Sequence, residues 1–246
     1  GKQGGRLARE AVMGLYPVRP DWVLGGEEAV MAMLCRQLSH DPQLDLHVIT
    51  FRGADGSERV ENLRGGLTVH RPWQPRFGRL TWHRAEMNRL HQALRALQPD
   101  VVHAHGSQVY TAAAVSCGFP AVVTVHGIMA REARTLQVWW RRVARTLDGW
   151  FERFALRNVQ NLIAISPYVL EAYPWLRPAH VHHIENPVDD TFFDAVRQEE
   201  PGRILCPARV VPRKGVLFLL QALPGLLREF PFLQLRIAGE SLAMPS

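Results

Sequence analysis

The sequence lacks any run of apolar residues long enough to span a membrane. Of its 246 residues, 47% are hydrophobic and 21% are charged, which is the composition of a globular protein. No segment approaches the roughly 20 consecutive apolar residues that a spanning helix requires. The first residues, Gly1 to Glu10, are polar and basic, so the apolar core of a secretory signal is lacking too. We therefore expect a cytoplasmic protein.

Cysteine is also scarce. Cys35, Cys117 and Cys206 lie far apart, are odd in number and form no CxxC pair. This pattern argues against a disulfide framework or a cysteine-based metal motif, and it favours small buried thiols in a reducing compartment.

Signatures of nucleic-acid and dinucleotide binding are absent as well. The formal net charge of +6 favours an anionic partner, which could be a phosphate ester, a nucleic acid or an anionic membrane surface. The arginines are spread along the chain without zinc-finger spacing, an RNP-type run or a basic zipper, so we expect no nucleic-acid partner. The missing GxGxxG argues against a nicotinamide-dependent oxidoreductase.

The chain does contain segments with strand periodicity that alternate with segments of helical periodicity. Short β-branched runs alternate with longer segments of helical period, which is typical of βαβ units in a parallel sheet and predicts an α/β fold. The predicted strands cover residues 46–50, 67–70, 101–105, 121–125 and 162–165. A further strand over 11–16 is less well defined, because charged residues crowd its approach.

Two amphipathic helices are predicted between these strands. The first has an apolar stripe within residues 87–97 and ends before Pro99. The second, over residues 129–159, carries seven arginines and places Trp140, Val143, Leu147, Phe151 and Phe154 on one side. It is either a helix at an anionic membrane surface or a helix packed on the sheet with solvated arginines. The second interpretation is favoured, because amphipathic helices usually face cores.

A polar connector divides the sequence into two parts. We predict an N-terminal Rossmann-like domain over residues 1–190, a linker over 191–202, and the first βαβ unit of a second such domain over 203–246. One βαβ unit is too small to close a core. Pro224 and Gly225 should kink or break the helix of that unit near its middle.

The pair Gly25 and Gly26 stands at the start of the helix that follows the first strand. Glycines there let backbone N–H groups approach an anion closely, and the helix dipole adds partial positive charge. The pair is also compatible with an ordinary strand-to-helix turn.

Three histidines lie at predicted strand ends. His103 and His105 share one face of a strand; they could ligate zinc, although no third ligand is evident. His126 ends a buried strand at the carboxyl edge of the sheet, where open α/β sheets bind ligands. A structural role in the core is the alternative for His126.

A basic turn joins the last predicted strand to its helix. It presents Arg209, Arg213 and Lys214 beside a helix N-terminus. Such a group suits a diphosphate, because it stabilises negative charge on a leaving phosphate. A solvated basic loop is the alternative.

In their order, these segments resemble the retaining glycosyltransferases of family 4 from about Val12 to Glu240. The similarity rests on the GG loop, DVVHAHG (100–106), VVTVHG (122–127), NLIAISPYV (161–169), ENPVD (185–189) and ARVVPRKG (208–215). The resemblance implies a GT-B fold, in which two Rossmann-like domains face a cleft. It also implies transfer of a sugar from a nucleotide-diphosphate sugar, with retention, to a hydroxyl of a glycan or lipid-linked glycan.

The resemblance also assigns roles to residues. It implies that Arg209 and Lys214 grip the donor diphosphate, that His126 contacts the transferred sugar, and that Gly25 and Gly26 border donor and acceptor. No metal or other cofactor is expected. Peripheral contact with an anionic membrane at its cytoplasmic face would fit the basic, aromatic stretch 131–157.

Two departures from the family pattern affect these expectations. Ala208 replaces the usual glycine before the arginine, and the chain reaches Ser246 before the family's pair of glutamates seven residues apart. We therefore expect this chain by itself to be poorly active. The alternative is a non-catalytic GT-B-like binding or partner module completed by another chain.

Overall fold

The structure is a computed structural model that describes residues 6–18, 25–51, 58–63, 65–128 and 139–239, without the side chains of 139–142 and 213. The chain divides into two compact units, Gly1–Asp189 and Asp190–Ser246. The first unit contains one large sheet and the second a two-stranded sheet.

Eight strands build the sheet of the first unit. They are β1 (Ala8–Met13), β2 (Leu44–Ile49), β3 (Arg59–Asn62), β4 (Thr68–Arg71), β5 (Val101–His105), β6 (Ala121–Val125), β7 (Asn161–Ala164) and β8 (His180–His183). Their order is β3-β4-β2-β1-β5-β6-β7-β8, and only the described β3–β4 pair is antiparallel. The predicted parallel α/β sheet is confirmed. The short strands β3 and β8 were not predicted, because neither presents an apolar run.

Helices cover both faces of this sheet. They are α1 (Gly26–Leu38), α2 (Arg84–Leu97), α3 (Val109–Ser116), α4 (Trp139–Leu156) and α5 (Tyr168–Ala172). On β1, Val12 belongs to a buried cluster with Met31 of α1, whereas Met13 belongs to a cluster with Leu90 of α2. Successive strand residues point to opposite faces. The sheet is therefore buried between two helical layers.

Strand β1 begins earlier than predicted and contains two charged residues. Arg9 donates hydrogen bonds to Asp45 (2.7 Å) and to the carbonyl of Leu97 (2.8 Å). Glu10 Oε1 lies 3.6 Å from His103 Nδ1. These long-range partners compensate for the partial burial of the two charges, which is why the strand covers 8–13 rather than 11–16.

Helix α4 differs from its predicted packing. Phe151 is buried and Phe154 packs against it, as expected, but Val143 and Leu147 of the same predicted stripe are exposed. The buried face includes Asp148 instead, so the prediction that the whole stripe packs on the sheet is wrong. The prediction for residues 129–138 and the Trp140 side chain lies outside the described residues. Among the helices described here, none is both long and apolar enough to cross a bilayer.

The second unit contains one βαβ arrangement. After a short helix, α6 (Thr191–Asp194), it consists of β9 (Arg203–Pro207), α7 (Val216–Glu229) and β10 (Gln234–Ala238), with β9 and β10 parallel. Leu205, Phe218 and Phe232 are exposed. This arrangement does not bury a core of its own, as expected for a single βαβ unit.

The predicted break in α7 is not seen. The helix continues through Pro224 and Gly225 to Glu229, and the N–H of Phe230 still donates to the carbonyl of Leu226 (2.8 Å). Proline removes only one donor from the helix ladder, and here the turns on both sides remain helical.

Candidate functional site

The strand order creates a ligand-binding edge in the first sheet. From β1 the chain continues to β2 and β4 on one side, whereas β5, β6 and β7 follow on the other side. The topology therefore switches between β1 and β5. Open α/β sheets bind ligands outside the carboxyl ends of the strands at such a point. The segments that follow β1, β5 and β6 at this edge contain Gly14, Gly106 and His126.

The predicted glycine pair forms the start of α1. The N–H of Gly25 donates to Glu28 Oε2 (2.8 Å), which caps the helix. The backbone of Gly25 is extended, with φ −68° and ψ 164°, so its conformation does not require glycine. A Cβ on Gly26 would meet no described atom within 4 Å. A methyl group at 26 would therefore be tolerated by the described residues, whereas one at 25 would contact Glu28 Oε2 at 3.5 Å.

Two other glycines at this edge are tightly packed. A Cβ on Gly14 would lie 2.7 Å from Met31 Sδ and 2.9 Å from His105 Cβ. Gly106 has φ +94°, and a Cβ there would lie 3.1 Å from Glu27 Oε1. The first turn of α1 thus lies against the segment that follows β5. This contact brings the Gly25–Gly26 pair close to His105.

His126 directly follows β6 and pairs with His105. Its Nε2 lies 2.9 Å from Nδ1 of His105, and the two rings meet edge to edge with nearly parallel planes, their centroids 5.2 Å apart and their planes at 11°. One nitrogen of this pair donates and the other accepts. The structure therefore joins His126, through His105, to the same edge as the glycine pair.

The two histidines are electrically neutral at neutral pH. Burial lowers the pKa of His105 to about 2, with further lowering by His103 and His126. Burial also lowers the pKa of His126 to about 4; a hydrogen bond with Asn186 opposes this shift, and His103 adds to it. A neutral imidazole offers one donor and one acceptor. One nitrogen of each ring is used in the bond between them, and the remaining nitrogens, His105 Nε2 and His126 Nδ1, are buried.

Asn186 is a site residue that the sequence analysis did not identify. It belongs to the ENPVD segment that follows β8, about 60 residues after His126 in sequence. Asp189 at the end of this segment accepts a hydrogen bond from Arg36 of α1 (2.9 Å). The ENPVD motif was the available signal, but nothing in the motif by itself distinguishes its asparagine.

His103 and His105, the two histidines considered as zinc ligands, have other hydrogen-bond partners. His103 Nε2 lies 2.8 Å from Thr124 Oγ1, and His105 Nδ1 bonds His126. Within the described ranges, no group of three or more histidine, cysteine or acidic residues is arranged to hold a metal ion. The expectation that no metal is needed stays a prediction.

Two acids at this edge, the buried Glu152 and the partly buried Glu27, were also missed. Ser107, just after β5, donates to Glu152 Oε1 of α4 (2.6 Å), and both residues are buried. Burial, and secondarily the charge of Glu28, raises the pKa of Glu27 to about 7. Acidic residues on helices are usually solvated, so the sequence alone did not single them out.

Arg209 and Lys214 lie in the second unit, at the carboxyl end of β9. Lys214 ends a 3-10 turn, Pro212–Lys214, and α7 begins directly after Gly215, which has φ +70°. Both cationic side chains are exposed. Neither forms an ion pair with a described residue. The predicted arrangement of two cations beside a helix N-terminus is present.

The turn before Arg209 is fixed by close backbone contacts. The N–H of Ala208 donates to the carbonyl of Ala238 in β10 (2.9 Å). A Cβ on Gly239 would lie 2.2 Å from the Ala208 carbonyl oxygen. Glycine at 239 therefore allows the loop that carries Arg209 to pack on the end of β10.

Comparison with protein families gives one match for the first unit. The family model described as Glycosyltransferase Family 4 matches residues 24–192. This range includes Gly25 and Gly26, the hydrogen-bonded His105 and His126, and the ENPVD segment. No curated protein sequence matches the chain significantly.

Several solved structures share the fold. Sucrose-phosphate synthase from Thermosynechococcus elongatus is 14% identical with TM-score 0.61, over 95% of this chain and 70% of that chain. The catalytic domain of starch synthase IV from Arabidopsis thaliana, bound to ADP and acarbose, is 14% identical with TM-score 0.56, over 97% and 69%. UDP-GlcNAc 2-epimerase from Neisseria meningitidis, bound to UDP-GlcNAc, is 13% identical with TM-score 0.56, over 93% and 64%. At these identities the likeness shows the fold, and the predicted GT-B type is confirmed.

Proposed function

The chain belongs to glycosyltransferase family 4, and from this membership we propose that it transfers a sugar from a nucleoside diphosphate sugar to an acceptor hydroxyl with retention of configuration. One observation carries the proposal: the first turn of α1 and the His105–His126 pair lie together at the switch point of the sheet. Such an edge is where open α/β sheets bind ligands, and a helix N-terminus there favours an anionic ligand.

The diphosphate of the donor is proposed to bind Arg209 and Lys214. Arginine offers a planar fork of donors and lysine a compact charge, and the N-terminus of α7 beside them adds partial positive charge. As the bond to the sugar breaks, negative charge builds on the leaving phosphate. These groups would stabilise that charge more strongly in the transition state than in the bound donor.

His126 is proposed to contact the transferred sugar. Because its ring is neutral, it would contact the sugar without contributing a charge, while the donor phosphate guides the acceptor hydroxyl. No metal or other cofactor is proposed. Catalysis would then rest on position and on electrostatic stabilisation. The proposed acceptor is a glycan or a lipid-linked glycan.

Two glycine variants test whether the edge of the first unit binds the donor. Gly26→Ala should leave folding stability unchanged or slightly higher, because its Cβ meets no described atom and alanine favours helix. It should weaken donor binding by about tenfold, because the methyl group blocks close approach to the first-turn N–H groups. The measurements are thermal unfolding and calorimetric titration with UDP-, GDP- and ADP-glucose.

Gly14→Ala is the matched control, since its Cβ would clash with Met31 and His105. It should lower stability by about 1–3 kcal/mol through overpacking.

Assays of nucleoside diphosphate release separate transfer from epimerisation, which leaves the nucleotide on the sugar. Unchanged donor affinity in Gly26→Ala would remove α1 from the site. Donor conversion without nucleotide release would overturn the transferase assignment.

A further inference from the structure

Helix α4 has an unusual distribution of polar and apolar residues. It buries two carboxylates, Asp148 at 3% exposure and Glu152 at 1%, while Val143, Leu147 and Trp150 are 54%, 40% and 62% exposed. The exposed residues are three and four positions apart, so they form one apolar stripe on the outer side of the helix. A helix that only packs on a core has the opposite arrangement.

The buried carboxylates fix this orientation. Asp148 accepts two hydrogen bonds from the guanidinium of Arg79, at 2.7 and 3.0 Å. Glu152 accepts one from Ser107. A buried carboxylate without such partners would be strongly unfavourable. Rotating the helix to bury its apolar stripe would break these bonds, so the outward position of Leu147 and Trp150 is determined by the fold.

The loop before α2 adds further exposed apolar side chains next to this helix. Arg79 ties the loop to Asp148, and Trp82 packs edge-on against Phe151 of α4, with ring centroids 5.4 Å apart. In the same loop, Phe77, which precedes Arg79, is 72% exposed, and Leu80, which lies between Arg79 and Trp82, is 84% exposed. We call these five exposed side chains, Phe77, Leu80, Val143, Leu147 and Trp150, the α4 face.

The exposed charges around the α4 face are cationic. The loop segment 72–84 contains no acidic residue, and the two acids of segment 143–157 are the buried Asp148 and Glu152. The same segments contribute six arginines, Arg76, Arg79, Arg84, Arg145, Arg153 and Arg157. Within the described parts of the chain, these two segments combine exposed apolar side chains with arginines and carry no exposed acid, which is complementary to a surface that is apolar below and anionic above.

We propose that the α4 face docks on the surface of an anionic lipid bilayer. Trp150, Leu147 and the loop residues Phe77 and Leu80 enter the boundary between headgroups and acyl chains, and the exposed Arg76 and Arg84 contact the phosphates. Exposed aliphatic side chains favour a bilayer over a nucleic acid, which binds through phosphates and base stacking. This proposal is independent of the transfer reaction and would place a lipid-linked acceptor within reach.

The test is flotation of the purified protein with vesicles of phosphatidylcholine alone and of phosphatidylcholine with phosphatidylglycerol. The protein should bind the anionic vesicles, and added salt should weaken this binding because exposed charges are screened. Leu147→Ser/Trp150→Ser should reduce the binding by about tenfold or more, since two inserted apolar side chains are lost. Arg76→Gln/Arg84→Gln should weaken binding and flatten its salt dependence.

Val60→Ser/Leu63→Ser is the matched control, because both side chains are exposed near β3, away from α4 in sequence and in strand order. It should bind vesicles like the unmodified protein. Thermal unfolding should be unchanged in all variants, since every replaced side chain is exposed. Equal binding by Leu147→Ser/Trp150→Ser, equal binding to neutral vesicles, or binding to duplex DNA but not to vesicles would each overturn the proposal.

Discussion

Replacing Arg209 and Lys214 together with alanine should abolish measurable binding of a nucleoside diphosphate sugar. The two side chains are exposed at the carboxyl end of β9, and no described acid neutralises them. Removing one charged partner of a bound phosphate costs about 2–5 kcal/mol, so the double variant should lose a factor of about 10³ or more in affinity. Calorimetric titration with the preferred donor measures the effect.

The control for this variant removes the same charge from the same unit. Arg228→Ala/Arg236→Ala changes two exposed arginines, one in the last turn of α7 and one within β10. It should keep donor affinity within about threefold, because long-range charge effects are screened by salt. If both double variants lost affinity equally, net charge rather than a diphosphate site would explain the result.

His126→Ala should lower the rate of sugar transfer by about 10²-fold. The side chain follows the carboxyl end of β6 and is held by His105, so its loss removes a positioned contact to the sugar. Because the ring is neutral above its pKa of about 4, the loss should be similar across neutral pH. The measurement is single-turnover transfer at saturating donor.

A second histidine provides the comparison for His126. His182 is exposed on the edge strand β8, and His182→Ala should leave transfer unchanged. His126→Gln keeps a hydrogen-bonding group and should retain more activity than His126→Ala. A His126→Ala variant that folds normally and transfers sugar at the unmodified rate would contradict the proposed role.

The parallel sheet could be predicted because its central strands are short, mostly apolar runs. β5, β6 and β7 are short buried runs, and burial on both faces gives such strands a continuous apolar signal. The limits of β1 could not be predicted in the same way. Arg9 and Glu10 look unfavourable locally, and their partners Asp45 and His103 are distant in sequence.

The places of three candidate site residues in the fold could be predicted, because they follow from position within the βαβ pattern. Gly25, Gly26 and His126 lie at the edge that the βαβ pattern indicates. His105 was considered only as a metal ligand, because its contact with His126 exists only after β5 and β6 pair. The roles of Arg209 and Lys214 stay predictions, and the structure shows their arrangement in the second unit.

Helix α4 shows why periodicity alone was insufficient. Its apolar residues repeat with helical period, which favours packing against the sheet. The orientation is decided instead by Asp148 and Glu152, whose partners Arg79 and Ser107 lie in loops that precede the helix by many residues. Leaving a buried carboxylate without its hydrogen-bond partner costs more free energy than leaving two or three apolar side chains exposed to water.

Lys214 allows the most direct test of donor binding. The chain has only two lysines, Lys2 and Lys214, so acetylation by an amine-selective reagent, read by mass spectrometry, reports on Lys214 with Lys2 as internal reference. A bound diphosphate should protect Lys214, because it occupies the ammonium group. We predict that one of UDP-, GDP- or ADP-glucose slows acetylation of Lys214 but not of Lys2. Equal acetylation of Lys214 with and without every donor would contradict the assignment of this turn to the donor diphosphate.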